Sequence, residues 1–93
     1  MPEFLPRPDL YVVARVLEVL SRQPGRMRKT PLQMASAVNY TIFSRYLALL
    51  QQRGLVRVST DADGTDWVEL TPKGSEALRY LTEGMQRVLE HNP

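Results

Sequence analysis

The chain has 93 residues, of which 43% are hydrophobic and 24% are charged, and these values are typical of one small globular domain. It contains no cysteine and one histidine, His91, which excludes disulfides and thiolate metal sites and argues against any metal centre. No apolar run approaches the roughly 18 residues of a transmembrane helix, and residues 1–9 do not resemble a signal peptide. We therefore expect a cytoplasmic protein without a cofactor.

The net charge of +2 conceals a strong asymmetry along the chain. Residues 1–18 carry a net charge of −1, residues 19–60 carry +7 with no carboxylate, and residues 61–93 carry −4. A polyanion is the natural partner of the basic middle segment, and the alternative is a charged face that only keeps the protein soluble. The basic residues of the segment are Arg22, Arg26, Arg28, Lys29, Arg45, Arg53 and Arg57.

The first part of the chain predicts an extended arm followed by a helix. Residues 1–8 contain three prolines and cannot be regular helix, so they form either an arm on the domain or a frayed tail. Asp9 is a candidate N-cap for a helix over residues 10–23, which Pro24-Gly25 ends. Arg26 to Lys29 is expected to be a short basic connector. The helix has one apolar stripe, made of Leu10, Val13, Ala14, Val16, Leu17 and Leu20.

Two short helical patterns joined by a tight turn follow in residues 30–53. Thr30-Pro31 predicts a capped start for a helix that ends near Ala37 and turns Leu32, Met34 and Ala35 inward. Residues 38–40 form the turn, in which Asn39 is expected to take a left-handed conformation. Thr41 is the predicted cap of the next helix, over residues 42–53. That helix would bury Phe43, Leu47 and Leu50 and would end at Gly54.

The remaining residues predict a β-hairpin, or wing, and a final helix. Residues 56–59 and 67–70 alternate apolar and polar side chains as strands do, and Asp63-Gly64 between them is a hairpin-turn signal. Thr71-Pro72 repeats the capped start of Thr30-Pro31 and opens a helix over residues 72–90. Its apolar positions have the spacing of a coiled-coil seam, with Leu78, Leu81, Met85 and Val88 in the repeat and Leu89 beside it.

This order of elements predicts a mainly α fold with a small β-hairpin, the winged helix-turn-helix (α-α-α-β-β-α). We divide the chain into an arm (1–8), a winged helix-turn-helix domain (9–71) and a C-terminal helix for packing and dimerisation (72–93).

In a helix-turn-helix, the second helix enters the major groove of DNA with its N-terminal residues at the base edges. Here that helix spans about residues 42–53, and the residues expected to contact bases or nearby phosphates are Asn39, Tyr40, Thr41, Ser44 and Arg45. Thr30 and Gln33 would lie over the DNA backbone, and Arg28, Lys29 and Arg57 would add charge at the rim. Two alternatives stay open: Thr30 and Thr41 cap helices whether or not DNA binds, and Tyr40 could pack beneath the turn.

The segment KTPLQMASAVNYTIFSRYLALLQQRGLV, followed after the wing by ELTPKGSEAL, resembles the small winged-helix DNA-binding proteins common in archaea. The resemblance rests on Lys29-Thr30, Val38-Asn39-Tyr40, Arg45-Tyr46-Leu47, Gly54-Leu55 and the Leu-Thr-x-x-Gly sequence at residues 70–74. It implies DNA binding, and often a dimer joined through the C-terminal helix as a coiled coil. This sequence departs from the pattern in its acidic wing tip, with Asp61, Asp63 and Asp66, and in its short final helix.

The leading hypothesis is a double-stranded-DNA-binding protein, either a sequence-specific transcriptional regulator or an architectural, nucleoid-associated protein. It would be a homodimer through the final helix, with Leu81, Met85, Val88 and Leu89 as the expected dimerisation residues. The alternative is a winged-helix protein-interaction module that does not bind DNA, which the acidic wing favours. We do not expect an enzyme, because no nucleophile–base pair, phosphate loop or metal cluster is evident. No small-molecule effector is evident either.

Overall fold

The computed structural model describes residues 8–90, and its first helix, α1, spans Leu10–Ser21. Asp9 is the N-cap, as predicted, because its carboxylate accepts a hydrogen bond of 2.9 Å from the backbone N–H of Tyr11. The predicted apolar stripe is buried except for Leu10, which is 56% exposed, so the expectation that Leu10 belongs to the core was wrong. α1 also ends two residues earlier than expected.

The basic connector predicted at residues 26–29 is a β-strand instead. This strand, β1 (Arg26–Arg28), follows Gly25, whose φ of 99° lets the chain turn sharply after α1. β1 has only three residues and pairs antiparallel with a strand far away in the sequence, so its local pattern was too short to predict it. Met27 is its inward residue and packs against the core, while Arg26 and Arg28 are exposed.

Helix α2 spans Lys29–Ala35 and follows β1 without a linker. It begins one residue before Thr30, its N-cap residue is Arg28, and no side chain caps it, so the predicted Thr30 cap was wrong. Leu32 is fully buried, but Met34 and Ala35 are exposed, contrary to expectation. Leu32 and the C-cap residue Ser36, which are four residues apart and fully buried, occupy the inner side of this short helix.

The helix-turn-helix connection is built around Ser36 and Ala37. The buried hydroxyl of Ser36 donates to the carbonyl of Leu32 over 2.8 Å, and Arg15 of α1 donates to the Ser36 carbonyl over 3.1 Å. Ala37 adopts the left-handed conformation, with a φ of 59°, whereas Asn39 has a φ of −70°. The left-handed residue of the turn was therefore predicted two positions too late. Helix α3 then spans Tyr40–Gln52.

The wing hairpin consists of β2 (Val56–Thr60) and β3 (Asp66–Leu70), and β3 lies between β1 and β2 in a three-stranded antiparallel sheet. Gly64 in the connecting turn has a φ of 81°, in agreement with the predicted hairpin signal. Residues that pair directly across the strands share one face of the sheet. The inner face packs on the helices through Met27, Val56, Val58, Val68 and Leu70, and the outer face carries Arg26, Arg28, Arg57, Ser59, Trp67 and Glu69.

Helix α4 spans Pro72–Glu90, the range predicted for it. Thr71 caps it, since its hydroxyl accepts from the N–H of Gly74 over 3.0 Å. Gly74 is buried against the carbonyl of Leu55, which a Cβ atom would overlap. Leu78 and Leu81, with Ala77, pack against the core.

The core joins the inner sides of α1, α2 and α3 to the inner face of the sheet, which confirms the predicted winged helix-turn-helix class with one strand more than expected. Within residues 8–90, none of the helices combines the length and the apolar character that a membrane crossing requires. The predicted arm, except for Pro8, and His91 lie outside the described residues. The buried core residues are Val13, Val16, Leu17, Leu20, Leu32, Phe43, Tyr46, Leu47, Leu50, Val56 and Val68.

Candidate nucleic-acid interface

Helix α3 is anchored firmly by its inner side. Phe43, Leu47 and Leu50 are buried, as predicted, and Tyr46 is buried beside them. The Tyr46 hydroxyl accepts a 2.7 Å hydrogen bond from the backbone N–H of Asp9, which ties α3 to the start of α1. The outer side of α3 is thereby held in a fixed orientation, and a rigid scaffold of this kind suits a surface that contacts a partner.

The N-terminus of α3 is capped by Asn39. Its side-chain oxygen accepts a 2.8 Å hydrogen bond from the N–H of Ile42, so the predicted Thr41 cap was wrong, and α3 begins at Tyr40 rather than at Ile42. Thr41 is exposed and makes no side-chain hydrogen bond within the described residues. Asn39 is thus the N-cap of α3, and the Thr41 hydroxyl is available to a ligand.

Tyr40 stands at the exposed start of α3, beside Lys29 of α2. Its ring is 58% exposed, which rules out the alternative in which it packs beneath the turn. The Lys29 ammonium lies 5.5 Å from the ring centroid. Hydrogen bonding from Ser44 and, after it, from Lys29 lowers the pKa of Tyr40. Tyr40, Ser44 and Lys29 therefore form one polar cluster that joins the two helices of the motif.

A cleft of about 500 Å³ lies between the start of α2, the start of α3 and the tip end of the wing, where β3 begins. The Lys29 ammonium lies 4.0 Å from the Asp66 carboxylate, an ion pair that places one negative charge among the basic groups. Four of the predicted contact residues therefore share one surface. The residues lining the cleft are Arg28, Lys29, Thr30, Pro31, Tyr40, Thr65 and Asp66.

The other predicted contact residues lie in different surroundings. Arg45 is exposed on α3 and has no hydrogen bond or ion pair within the described residues. The Gln33 amide donates to the carbonyl of Val38 over 2.6 Å, so it supports the turn. Arg57 lies on the outer face of the sheet and donates to Glu69 over 2.8 Å. The structure thus groups Arg28, Lys29, Thr30, Tyr40 and Ser44 and separates Gln33 and Arg57 from them.

The sequence matches a family model described as winged helix-turn-helix over residues 7–89. The chain belongs to the winged helix-turn-helix family. A search of curated protein sequences returned no match.

Several solved structures share the fold. A MarR-family transcriptional regulator from Silicibacter pomeroyi is 29% identical, with a TM-score of 0.73 over 89% of this chain and 59% of that one. The DNA-binding protein Sso10a-2 from Sulfolobus solfataricus is 20% identical, with a TM-score of 0.75 over 86% of this chain and 80% of that one. The transcriptional regulator BldR from the same organism is 23% identical, with a TM-score of 0.74 over 85% and 57%. The chain therefore spans about three-fifths of the length of the two regulators.

The outer face of the sheet in this winged helix carries an arginine–tryptophan cluster that the sequence analysis did not predict. The guanidinium of Arg26 lies 4.0 Å from the centroid of the Trp67 ring, and that of Arg28 lies 5.7 Å from it. The alternation of Arg26, Met27 and Arg28 was the available signal, but three residues are too few to predict a strand.

The acidic wing tip is internally bonded. The Asp61 carboxylate accepts hydrogen bonds from the Trp67 indole (2.9 Å) and from the backbone N–H groups of Thr65 (3.0 Å) and Asp63 (2.9 Å). These bonds, the one from Trp67 foremost, lower the pKa of Asp61. At least one wing carboxylate therefore stabilises the turn itself.

An exposed apolar groove of about 290 Å³ lies where the start of α1 meets the C-terminal half of α4. All four predicted dimerisation residues line it, and Val88 and Leu89 are 75% and 79% exposed. Leu10 and Tyr11 of α1 belong to the same groove, which explains why Leu10 is outside the core. The full lining is Leu10, Tyr11, Tyr80, Leu81, Gly84, Met85, Val88 and Leu89.

Proposed function

We propose that this winged helix binds double-stranded DNA through α3, as a transcriptional regulator or an architectural, nucleoid-associated protein of the cytoplasm. The observation that carries the proposal is the outer side of α3. It is held rigid by the Tyr46–Asp9 bond, bears the unpaired Arg45, and contains no carboxylate. A rigid helix side that carries positive charge and no negative charge complements the negative surface of a DNA groove.

The geometry supports a division of roles between base and backbone contacts. Thr41, Ser44 and Arg45 lie in the first half of α3, where helix-turn-helix proteins read bases, and Arg45 has the donors to bond guanine O6 and N7. Tyr40 and the cleft residues Arg28, Lys29 and Thr30 are suited to phosphates. The remaining predicted residues have other roles: Asn39 positions the helix start, Gln33 supports the turn, and Arg57 contributes charge from the sheet.

The similar structures add support for the class of function. Two of them are transcriptional regulators and the third is a DNA-binding protein, according to their names. The proposed activity is binding without catalysis, and it needs no cofactor.

Arg45→Ala tests the proposal most directly. We expect the parent protein to bind mixed-sequence duplex DNA at low salt, with a steep loss of affinity as salt rises. Arg45→Ala should weaken binding to a selected site by about 1–3 kcal/mol and relax the preference at one base position. Fluorescence anisotropy and selection of bound sequences from random duplexes would measure both effects.

The matched control is Arg79→Ala, which removes an exposed arginine of α4 that lies 3.9 Å from Glu76. It should leave the base preference unchanged. Absence of any binding by the parent protein at low salt would overturn the proposal.

We further propose that two copies associate through the apolar groove. The resulting dimer, joined through α4, would present two α3 helices to DNA. The groove combines exposed apolar side chains from α1 and α4 with Gly84, where nothing lies within 4 Å of a Cβ position. A second helix could therefore approach closely. Leu81, Met85, Val88 and Leu89 would lie in the interface.

Met85→Glu tests the dimer, because it places a charge among the groove residues. We expect sedimentation to show a monomer for Met85→Glu and a dimer for the parent. Thr82→Glu is the control, since Thr82 is exposed on the same helix but does not line the groove. An unchanged dimer in Met85→Glu would remove α4 from the interface.

The second candidate function is a protein-interaction module without DNA binding. The acidic wing tip favours it, because its carboxylates, including Asp66 in the cleft, would repel a polyanion. A stable protein partner together with indifference to DNA would establish this alternative.

A further inference from the structure

The outer face of the sheet places two arginine guanidiniums over one tryptophan ring. β1 pairs Arg28 directly with Trp67 and pairs Arg26 with Glu69, two residues along the same strand, so all four side chains share this face. The Arg26 guanidinium carbon lies 4.0 Å from the ring centroid, the closer of the two contacts.

Stacking holds a guanidinium flat while its N–H groups remain available in its own plane. Neither Arg26 nor Arg28 donates a hydrogen bond to another residue in the described part of the chain. Arg57 on the same face differs, because its guanidinium is bonded to Glu69. Arg26 and Arg28 therefore carry donors without a hydrogen-bond acceptor, and planar pairs of N–H groups match a phosphate.

The tryptophan is itself fixed in place. Its indole N–H donates to Asp61 over 2.9 Å, and Asp61 is held by the backbone of Asp63 and Thr65. The acidic residue at the wing tip thereby orients the aromatic ring beneath the arginines. This role accounts for one carboxylate that otherwise opposes DNA binding.

We propose that Arg26 and Arg28, which lie over the Trp67 ring, form a phosphate-binding surface for DNA that extends beyond the segment occupied by α3. The proposal rests on the proposed DNA binding and adds a second contact surface to it. Two observations select DNA as the occupant. The arginines of this face, Arg26, Arg28 and Arg57, outnumber the two carboxylates beside it, Glu69 and the Trp67-bonded Asp61. Arg28 also lines the cleft that contains Lys29 and Tyr40, so the surface is continuous with the candidate interface.

The test compares a short and a long mixed-sequence duplex. A duplex of about 12 base pairs, little more than one helical turn, holds one α3, whereas one of about 30 base pairs offers flanking backbone. We expect Arg26→Gln to weaken binding to the long duplex about fivefold and to reduce the dependence of log affinity on log salt by about 1. Its affinity for the short duplex should not change.

Two further variants separate stacking from charge. Arg26→Lys retains the charge but loses the planar stack, so it should recover only part of the long-duplex affinity. Arg79→Gln, on α4, should behave as the parent on both duplexes. Arg26 is exposed, and a thermal melt should therefore show the parent's folding for both of its variants.

The outcomes distinguish this inference from the proposed function. If the parent binds both duplexes and Arg26→Gln matches it on each, the second surface is overturned while DNA binding by α3 stands. Equal losses on the short and long duplexes would also overturn it, because they would place Arg26 in the primary contact. If the parent binds neither duplex, the proposed function fails and this inference fails with it. Capture of an acidic peptide on this face without DNA binding would assign it to a protein partner.

Discussion

Thr30-Pro31 and Thr71-Pro72 are the same dipeptide at the start of two helices, yet the structure uses them differently. The Thr71 hydroxyl accepts from the N–H of Gly74 over 3.0 Å and donates to the carbonyl of Gly54 over 2.6 Å. Thr30 lies inside α2 rather than before it, and it makes no side-chain hydrogen bond within the described residues. The Thr71 side chain therefore stabilises the fold through its two hydrogen bonds, whereas Thr30 is exposed in the cleft.

The difference arises from what precedes each helix. Arg28 is the last residue of β1 and also the N-cap of α2, with a φ of −69° and a ψ of 150°, so the helix begins before Thr30 can cap it. Before α4, the Thr71 N–H donates to the Leu55 carbonyl over 3.2 Å, and that contact sets the point at which the helix begins. Tertiary contacts thus decide whether a Thr-Pro pair stabilises the fold or remains available to a ligand.

Gly74→Ala should have the largest effect, because the start of α4 has no space for a side chain. A Cβ atom there would overlap the Leu55 carbonyl and lie 2.8 Å from a methyl group of Leu70. We expect a loss of about 3 kcal/mol in the free energy of unfolding, measured by urea denaturation. Gly84→Ala is the control, since nothing lies within 4 Å of its Cβ position and alanine favours helix. A neutral Gly74→Ala would show that α4 can move away from Leu55 freely.

Thr71→Val should have the next largest effect on stability. Valine keeps the shape of threonine but removes both hydrogen bonds of the hydroxyl. The expected loss is about 1.5 kcal/mol in the same urea measurement, within the range for a lost N-cap. Affinity for the short DNA duplex should not change, because Thr71 lies outside the candidate interface. A stability equal to that of the parent would mean that the bonded hydroxyl contributes nothing to the fold.

Most of the fold was predictable from local patterns because its three long helices, α1, α3 and α4, have clear apolar periodicity. The inner residues of α3, such as Phe43 and Leu50, follow helical spacing, and α4 has the predicted bounds. β1 was missed because it has three residues, and only its pairing with β3 makes it a strand. Leu10 was misassigned for a related reason, since periodicity identifies an apolar face but not whether that face lies in the core or in a groove.

The candidate site was only partly predictable. Residue type and position in the motif selected Arg45 correctly as an exposed side chain, but they left open whether Tyr40 is exposed or packs beneath the turn. Which of Asn39 and Thr41 caps α3 depends on where the helix begins, and two capping residues separated by one position leave that undecided in sequence. The contacts of Arg26 with Trp67 and of Arg57 with Glu69 require a register between strands, which no single segment encodes.

Thr30→Val should have the smallest effect on stability, and it sharpens the comparison with Thr71 most. The substitution removes a hydroxyl that bonds to nothing within the described residues, so the free energy of unfolding should change by less than about 0.5 kcal/mol. If the cleft binds a DNA phosphate, loss of the Thr30 hydroxyl donor should weaken binding to the short duplex by a few-fold. One hydrogen bond from an uncharged hydroxyl to a phosphate is worth about 1 kcal/mol. The pair of variants then gives opposite results: Thr71→Val changes stability alone, and Thr30→Val changes affinity alone. A loss of stability in Thr30→Val equal to that in Thr71→Val would show that both threonines cap their helices, and the distinction between the two helix starts would fail.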